Sequence, residues 1–450
     1  MVYNWREEYQ KKLTTAAEAV KIIQNGNFVS YPPFVMKVPE LDAALAARKE
    51  ELEDVIVSFA TLTYVPEVVK ADPQGEHFTF VDGSFSAATR GIRKKGIPIF
   101  ATPGLYHETT RGYYTGQKNV DVLFLCVTPM DSNGYFRMGI ASSNQVAMIR
   151  QRGGLKRGLK VVVEVNPYVP KVQGDNFIHI SEVEAVVEEK ESLPLSAIPP
   201  VEASEIEHKI AAHIMNEMMD GACIQLGIGG LPNIVGKMIA DSDLKDLGCH
   251  TEMFVNAYLD MFNAGKLTNL RKQTHLGKSV FTFAMGSKEL YDFVDGNPAV
   301  ECLDVGYVND PWVISQNDRV VSICSCLCVD LFGNVSSESD GYRQISGTGG
   351  ALDYHYAALH SEGGKAFMCM PSTSVGKDGT RRSNIVVAFK QGTQITVPAN
   401  MTNRIVTEFG VADLKQKNTK ARLDELLKIC HPDFQQELID QATHAGIWRK

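Results

Sequence analysis

Features typical of membrane, secreted and nucleic-acid-binding proteins are absent from the 450-residue sequence. No apolar run reaches the roughly 18 residues of a membrane span. The first residues, MVYNWREEYQKK, are charged and lack the apolar core of a secretory signal, so we expect a cytoplasmic location. The formal net charge of −8 provides no general basic surface for nucleic acid. We therefore expect neither a membrane nor nucleic acid among its partners.

Metal-binding patterns are also missing. The nine cysteines are an odd number, and no CxxC or HExxH pattern occurs, so we expect reduced thiols and no bound metal. The densest group is Cys324, Cys326 and Cys328, whose spacing of two would place them on one face of a strand. A zinc site there would need a second Cys or His cluster. We interpret the three as buried strand residues.

Common nucleotide-binding and hydrolase signatures do not occur either. There is no GxSxG, and GSFSA at 83–87 comes nearest to it. The loop QLGIGGLPN has Pro232 where GxGxxG requires glycine, and QISGTGGALDYH lacks the Lys-Ser/Thr that ends a P-loop. These absences argue against a serine hydrolase, a dinucleotide-binding protein and an ATP-binding protein.

Short apolar segments alternate with helical patterns in the first half of the chain. The predicted strands are DVIVSFA, HFTFVDG, GIPIFATPG, NVDVLFLCVTP and LKVVVEVN. Strands of this kind, separated by helices, are typical of a parallel sheet covered on both faces. The proline-rich stretch KESLPLSAIPPVEA, 190–203, is typical of a linker. We predict an α/β protein with domains at 1–195 and 203–450.

The second half repeats features of the first at nearly one offset. Gly26 and Gly221 each follow an amphipathic helical pattern and precede a strand, 195 residues apart. The segments LFLCVTPMDSNGYF and SICSCLCVDLFGNV each run from an apolar strand into D-x-x-G, 199 residues apart. Two such offsets indicate a duplicated domain. We expect two similar α/β domains with mostly parallel sheets, and an active site in the cleft between them.

Two glycine-rich loops in the second half precede helical patterns. The first contains Gly227, Ile228, Gly229, Gly230 and Leu231, and the second contains Gly347, Gly349 and Gly350. One interpretation of each loop is a tight turn ahead of a helix. The other is a ligand loop, because glycines let backbone amides point at a phosphate or an oxyanion.

Glu252 stands at the front of the apolar stretch CHTEMFVNAYLDMF, residues 249–262. Burying an ionised carboxylate without a partner costs several kcal/mol. In one interpretation Thr251 caps a helix and Glu252 occupies its first turn. In the other Glu252 is a functional carboxylate, because it lies about two dozen residues after one glycine-rich loop and precedes the other.

The order of these motifs resembles the acetyl-CoA hydrolase/transferase family of class I CoA-transferases. GIGGLPN is followed after about twenty residues by HTEM, then by SGTGG and by GGKAF…PST. In the first half, VTPMDSNGYFRMGIASS and VVVEVNPYVPKVQGDNFIHIS are similar to the family's N-terminal signatures. The resemblance covers about residues 10 to 420. Within the family, GTGGALDY is similar to the butyryl-CoA:acetate CoA-transferases.

The resemblance implies a role for each site residue. Glu252 would attack an acyl-CoA thioester, forming an acyl-glutamyl anhydride and then a glutamyl-CoA thioester in a ping-pong mechanism. Backbone amides near Ile228 and Gly350 would stabilise the oxyanions, and residues 227–231 would lie along CoA. Asn309 would lie near the nucleophile.

The expected reaction moves CoA from butyryl-CoA to acetate, with CoA as a substrate and no permanently bound cofactor. Its partners would be acyl-CoA and short-chain carboxylates, and we expect a homo-oligomer. Many relatives have Asp-Gly where this chain has Asn256-Ala257, and Gln where it has Ala351, so these positions bear on the acyl preference. The alternatives are another short-chain CoA-transferase, such as one for 4-hydroxybutyrate, and an acyl-CoA hydrolase.

Overall fold

The structure, a computed structural model, describes residues 4–150, 158–198, 202–227 and 229–449. The chain divides into two compact units. Unit 1 comprises Met1–Ile198 and Thr282–Tyr307, and unit 2 comprises Pro199–Phe281 and Val308–Lys450.

The division near residue 198 falls within the predicted linker, of which residues 199–201 lie outside the described residues. The predicted domains 1–195 and 203–450 are each continuous in sequence, whereas the segment 282–307 groups with unit 1. Hydrophobic patterning indicates that a segment is buried, but it does not indicate which unit the segment packs in.

Helices and strands alternate through unit 1. Before the linker they are α1 (Trp5–Lys12), α2 (Ala16–Ala19), β1 (Phe28–Ser30), α3 (Pro39–Ala47), β2 (Val55–Phe59), α4 (Glu67–Ala71), β3 (Phe78–Asp82), α5 (Ala87–Lys94), β4 (Ile99–Ala101), α6 (Glu108–Thr115), β5 (Val122–Val127), β6 (Tyr135–Arg137), α7 (Gln145–Arg150), β7 (Lys160–Val165), β8 (Phe177–His179) and β9 (Ala185–Glu188).

Unit 2 begins with a similar alternation and adds short strands near its end. Its elements are α8 (Glu205–Met215), β10 (Cys223–Leu226), α9 (Gly230–Ala240), β11 (Gly248–Phe254), α10 (Asn256–Asn263), α13 (Pro311–Ser315), β14 (Val320–Ser325), β15 (Cys328–Asp330), β16 (Val335–Ser336), β17 (Ser339–Asp340), β18 (Arg343–Gln344), α14 (Ala351–His360), β19 (Lys365–Cys369), β20 (Thr373–Val375), β21 (Arg381–Ser383), β22 (Ile385–Val386), β23 (Arg404–Thr407), β24 (Gly410–Asp413), α15 (Thr419–Lys428) and α16 (Pro432–His444). Around the segment 282–307 lie β12 (Ser279–Ala284), α11 (Lys288–Val294), β13 (Val300–Cys302) and α12 (Val305–Val308).

The central sheet of unit 1 has the strand order β4-β3-β2-β1-β5-β7-β9. All its neighbouring strands are parallel. Five of them, β2, β3, β4, β5 and β7, are the strands predicted from the apolar runs. The prediction is confirmed because strands buried on both faces need apolar side chains at successive positions, as in β5, where every residue is buried.

The strands of unit 2 lie in the order β11, β10, β14, β19, β23 and β24. Only β23 and β24 are antiparallel among these pairs. The order β11-β10-β14-β19-β23 has the same connectivity as β2-β1-β5-β7-β9 of unit 1. The predicted α/β class, with two similar halves and mostly parallel sheets, is therefore confirmed. The predicted position of the active site, in a cleft between the halves, stays a prediction.

The two D-x-x-G turns show the duplication at the level of single hydrogen bonds. Oδ1 of Asp131 accepts hydrogen bonds from the backbone amides two and four residues later, at 2.8 and 2.9 Å. Oδ1 of Asp330 does the same at 3.0 and 2.9 Å. Gly134 and Gly333 both adopt positive φ, at 86° and 93°. The equal spacing in the sequence thus corresponds to one repeated turn.

The prediction that three cysteines share a strand is wrong. Cys324 is buried in β14, Cys328 opens β15, and Cys326 lies between the two strands. The chain leaves β14 at Ser325, and β15 pairs with β16 and β22 instead. All nine cysteines are free thiols. Within the described ranges, no group of three or more His, Cys, Asp or Glu residues is placed to hold a metal ion.

Among the described residues, no helix combines the length and the apolar character needed to cross a bilayer.

Candidate active site

Glu252 lies in a β-strand and not at a helix start. It is the fifth residue of β11, and α10 begins only at Asn256. The Thr251 hydroxyl donates to the Met253 carbonyl at 3.1 Å, so it does not cap a helix. Pairing of β11 with β10 in the sheet overrides the local capping signal. The helix-start interpretation of Glu252 is therefore wrong.

The first glycine-rich loop lies at the same end of the sheet as Glu252. Gly227 directly follows β10, the parallel neighbour of β11, and α9 begins at Gly230. In open α/β sheets, ligands bind beyond the carboxyl ends of the strands. Gly229 has a φ of 128°, a conformation that L side chains rarely adopt. Ile228 lies outside the described residues.

The described part of the chain contains no hydrogen bond to the Glu252 carboxylate from Gly227, Gly229, Gly230 or Leu231. Leu231 is buried within α9. Their predicted role in binding CoA and stabilising oxyanions stays a prediction.

The second glycine-rich loop brings Gly350 directly to Glu252. The backbone N–H of Gly350 donates a hydrogen bond to the Glu252 carboxylate. Gly350 immediately precedes α14, so its amide belongs to the N-terminal end of that helix, where N–H groups are free to bind an anion. Gly349 supplies the turn before it, with a φ of 55°. Of the loop residues predicted for the site, Gly350 is the one that the described structure places on the carboxylate.

Asn309 also reaches the carboxylate, although 57 residues separate it from Glu252. Its Nδ2 donates to Glu252 Oε2 at 2.7 Å, and its side chain is fully buried. The preceding carbonyl, that of Val308, accepts from His250 Nε2 at 2.8 Å and from the Tyr354 hydroxyl at 3.1 Å. These two bonds fix the peptide that carries Asn309.

The surroundings hold Glu252 closer to its neutral form than an exposed glutamate. Burial is the main cause that raises the pKa of Glu252 to about 7, and the charge of Asp353 raises it further. The hydrogen bonds from Asn309 and Gly350 act in the opposite direction. A carboxylate with these neighbours is poorly hydrated and basic when ionised. It can attack an electrophilic carbonyl, while the two N–H donors can stabilise the oxyanion that forms.

Four residues near this centre were missed in the sequence. His250 precedes Glu252 by two residues, so the alternation of a strand places both on one face. Asp353 and Tyr354 lie in the first turn of α14, three and four residues after Gly350. These spacings predict that the residues lie near the site only when strand β11 and helix α14 are already known.

Tyr258 is the fourth, and it acts on the strand before the first glycine-rich loop. Its hydroxyl accepts from the Leu226 amide at 2.9 Å and is 3.4 Å from the Ile224 carbonyl. The end of β10 is therefore held by a side chain from α10.

Unit 2 also contains a cavity of about 910 Å³ that does not include this centre. It is lined by Cys326, Arg343, Arg381, Lys390 and Phe434, among others, and by none of Glu252, Asn309 and Gly350. This cavity is therefore separate from the Glu252 centre.

The chain is similar to known proteins along almost its whole length. Residues 1–199 match the acetyl-CoA hydrolase/transferase N-terminal domain, and residues 286–442 match the C-terminal domain. A probable butyrate:acetyl-CoA coenzyme A-transferase of Syntrophomonas wolfei is 43% identical over 446 residues, which cover 99% of this chain and 98% of that protein. A butyryl-CoA:acetate CoA-transferase of Anaerostipes caccae is 39% identical over 450 residues, 99% of each chain. The crystal structure of RipA from Yersinia pestis has a TM-score of 0.89 and 34% identity, covering 99% of this chain and all of that one.

Proposed function

Because this chain belongs to the acetyl-CoA hydrolase/transferase family, we propose that it is a CoA-transferase that moves CoA from butyryl-CoA to acetate. The observation that carries the proposal is the convergence of Asn309 and Gly350 on the Glu252 carboxylate. The names of the two relatives support the butyryl group and the acetate acceptor. The motif order in the sequence supports the same assignment.

In the proposed first half-reaction, an oxygen of the Glu252 carboxylate attacks the thioester carbonyl of butyryl-CoA. The C–S bond breaks, which leaves an acyl-glutamyl anhydride and the CoA thiolate. The thiolate then attacks the glutamyl carbonyl, butyrate leaves, and a glutamyl-CoA thioester remains. Splitting one exchange into such steps is covalent catalysis.

In the second half-reaction, acetate attacks the glutamyl-CoA carbonyl and displaces the CoA thiolate. The thiolate then attacks the acetyl carbonyl of the mixed anhydride, which forms acetyl-CoA and restores the Glu252 carboxylate. Thioester energy is retained throughout, so these steps consume no nucleotide. CoA takes part as a substrate and is not a resident cofactor.

Each attack creates an oxyanion, and the site supplies donors for it. The Gly350 amide at the start of α14 and the Asn309 amide both point at the reacting carboxylate. Removing one such donor typically costs about 2.7–4 kcal/mol of transition-state stabilisation. We further propose that a backbone amide near Ile228 supplies another donor.

We also propose that the protein is a homo-oligomer and is located in the cytoplasm.

The CoA adduct on Glu252 tests the mechanism. Incubation with butyryl-CoA and no acceptor should add the mass of CoA to the peptide containing HTEMFVNAY. Glu252→Gln should abolish the adduct, because a neutral amide is a much weaker nucleophile. Glu289→Gln, at an exposed position in α11, is the matched control and should keep the adduct. An adduct on another residue, or full transfer by E252Q with deamidation excluded, would overturn the assignment.

The acyl group is tested by comparing donors against acetate. We expect kcat/KM to be highest for short neutral acyl groups when propionyl-, butyryl-, 4-hydroxybutyryl- and succinyl-CoA are compared. Succinyl-CoA as the best donor would contradict the butyryl assignment. A hydrolase is distinguished in the same assay, since it would release thiol equally fast without acetate.

A further inference from the structure

The Asn309 amide lies between two carboxylates. Its Nδ2 is 2.7 Å from Glu252 Oε2 and 3.5 Å from Asp353 Oδ2. An asparagine amide carries two N–H donors, so one can serve each acid. Asp353 is 1% exposed and belongs to the first turn of α14. Asp353 is thus a second buried acid, connected to Glu252 through one amide group.

The orientation of this amide is set on its oxygen side as well. The Tyr354 hydroxyl lies 3.5 Å from Asn309 Oδ1 and 3.1 Å from the Val308 carbonyl, to which it donates. A reversed amide would point its oxygen at both carboxylates and its nitrogen at the tyrosine hydroxyl. The charges of the acids therefore select the orientation in which the nitrogen faces them.

Three other titratable groups near Glu252, all within the described residues, are uncharged near pH 7. On β11, burial lowers the pKa of His250 to about 3, so its imidazole is neutral near pH 7. On β14, burial raises the pKa of the Cys324 thiol to about 12. On α14, burial holds the pKa of the Tyr354 phenol well above its usual value. Among these groups of unit 2, Asp353 is the one whose charge acts against ionised Glu252.

We propose that Asp353 is a positioning residue that orients Glu252 through Asn309 and favours acylation of Glu252, an inference that rests on the proposed function. When both acids are ionised, two like charges share one amide. When Glu252 attacks the thioester, its carboxylate becomes part of a neutral anhydride, and the negative charge leaves on the CoA thiolate. The later glutamyl-CoA thioester is also neutral at this position. The repulsion from Asp353 is therefore present when both acids are ionised and relieved in both covalent intermediates.

Asp353→Asn tests this role, because it keeps the size of the side chain and removes its charge. The pH below which kcat/KM falls should shift downward, since Glu252 ionises more easily without a neighbouring negative charge. The maximal kcat/KM should fall on the order of 10- to 100-fold through loss of positioning. The fraction of enzyme carrying glutamyl-CoA at a fixed butyryl-CoA/butyrate ratio should fall as well.

Asp330→Asn is the matched control in the same unit. Asp330 is a buried carboxylate that holds the D-x-x-G turn, and it is not among the groups that shift the pKa of Glu252. Its replacement should reduce thermal stability and leave the pH dependence of kcat/KM in place. Asp353→Glu retains the charge, so its activity should fall without the downward pH shift.

If D353N does not fold, Asn309→Ala tests the proposal through a pH shift in the opposite direction. Removing the amide leaves the two acids without their shared donor, so the pH below which kcat/KM falls should move upward. An unchanged pH profile in both D353N and N309A, or a downward shift in D353E equal to that of D353N, would overturn the proposal. Absence of a CoA adduct on wild-type Glu252 would instead overturn the proposed function itself.

Discussion

Gly350 lies so close to Glu252 that no side chain fits between them. A Cβ built on Gly350 would overlap both the Glu252 carboxylate and the Asn309 amide. The φ of Gly350 is −100°, which other residues adopt without strain. The need for glycine is therefore steric, and it arises from the nucleophile candidate and its donor.

Gly350→Ala should reduce transfer activity on the order of 100-fold or more, because the methyl group displaces the carboxylate or the amide by about 1 Å. Gly91→Ala is the matched control: it lies in α5, and its new methyl group would meet no neighbouring atoms. That variant should keep wild-type activity. Steady-state transfer assays and thermal melts of both variants measure the effect. Near-normal activity in folded G350A would contradict the tight packing at this site.

Glu252→Gln should stabilise the fold at neutral and higher pH but not in acid. Burial raises the pKa of Glu252 from 4.5 to about 7, so the unfolded carboxyl ionises first as the pH rises. Ionisation then destabilises the folded state progressively between these two values, by on the order of 1–3 kcal/mol above pH 7. The gain in E252Q should be small below about pH 4.5. Urea unfolding of wild type and E252Q below pH 4.5 and above pH 7 measures the difference in their free energies of unfolding. An equal stabilisation of E252Q in acid would count against the burial of the carboxylate.

We predict that His250 supports the site as a neutral hydrogen-bond donor to the Val308 carbonyl. Its Nε2 donates to Val308, and in the described part of the chain its buried Nδ1 has no hydrogen-bond partner. The carbonyl partner requires a proton on Nε2, which agrees with a bare Nδ1. His250→Leu should lower kcat about tenfold by loosening the peptide that carries Asn309. His250→Gln, whose amide can still donate, should lose less.

The pH profile separates this role from acid–base catalysis by His250. Because its pKa is lowered to about 3, neither variant should move the pH at which kcat/KM falls on the acidic side near neutrality. A shift of that pH in His250→Gln, with the fold intact, would show that His250 titrates in the working range and would refute the neutral-donor role.

Tyr258→Phe should destabilise unit 2 by about 1–3 kcal/mol, because the buried Leu226 amide loses its acceptor. Denaturant unfolding measures the loss directly. Tyr356→Phe provides the control, since Tyr356 is 38% exposed on α14 and the change should be close to neutral. Equal stability of the two variants would mean that the Tyr258 hydroxyl is not needed to hold the end of β10.

Several features of this protein were determined by the sequence alone. The parallel strands of unit 1 could be predicted because burial on both faces leaves unbroken apolar runs such as VLFLCV in β5. The duplication could be predicted because turns such as Asp131–Gly134 and Asp330–Gly333 require Asp and Gly at fixed positions. Glu252 and the glycine-rich loops were recognisable as unusual residues in their local context.

The composition of the site was decided by tertiary structure. Periodicity reports whether a residue is buried, but it does not name the partner of a buried residue. Glu252 gave a local capping signal and lies in a strand, because pairing with β10 outweighs that signal. Its contact with Asn309 joins positions 57 residues apart, and Asp353 lies beside them only because α14 begins directly after Gly350. The sequence by itself therefore determined most strands of unit 1 and the candidate carboxylate Glu252, whereas the groups that surround this carboxylate depend on long-range packing that local patterns do not encode.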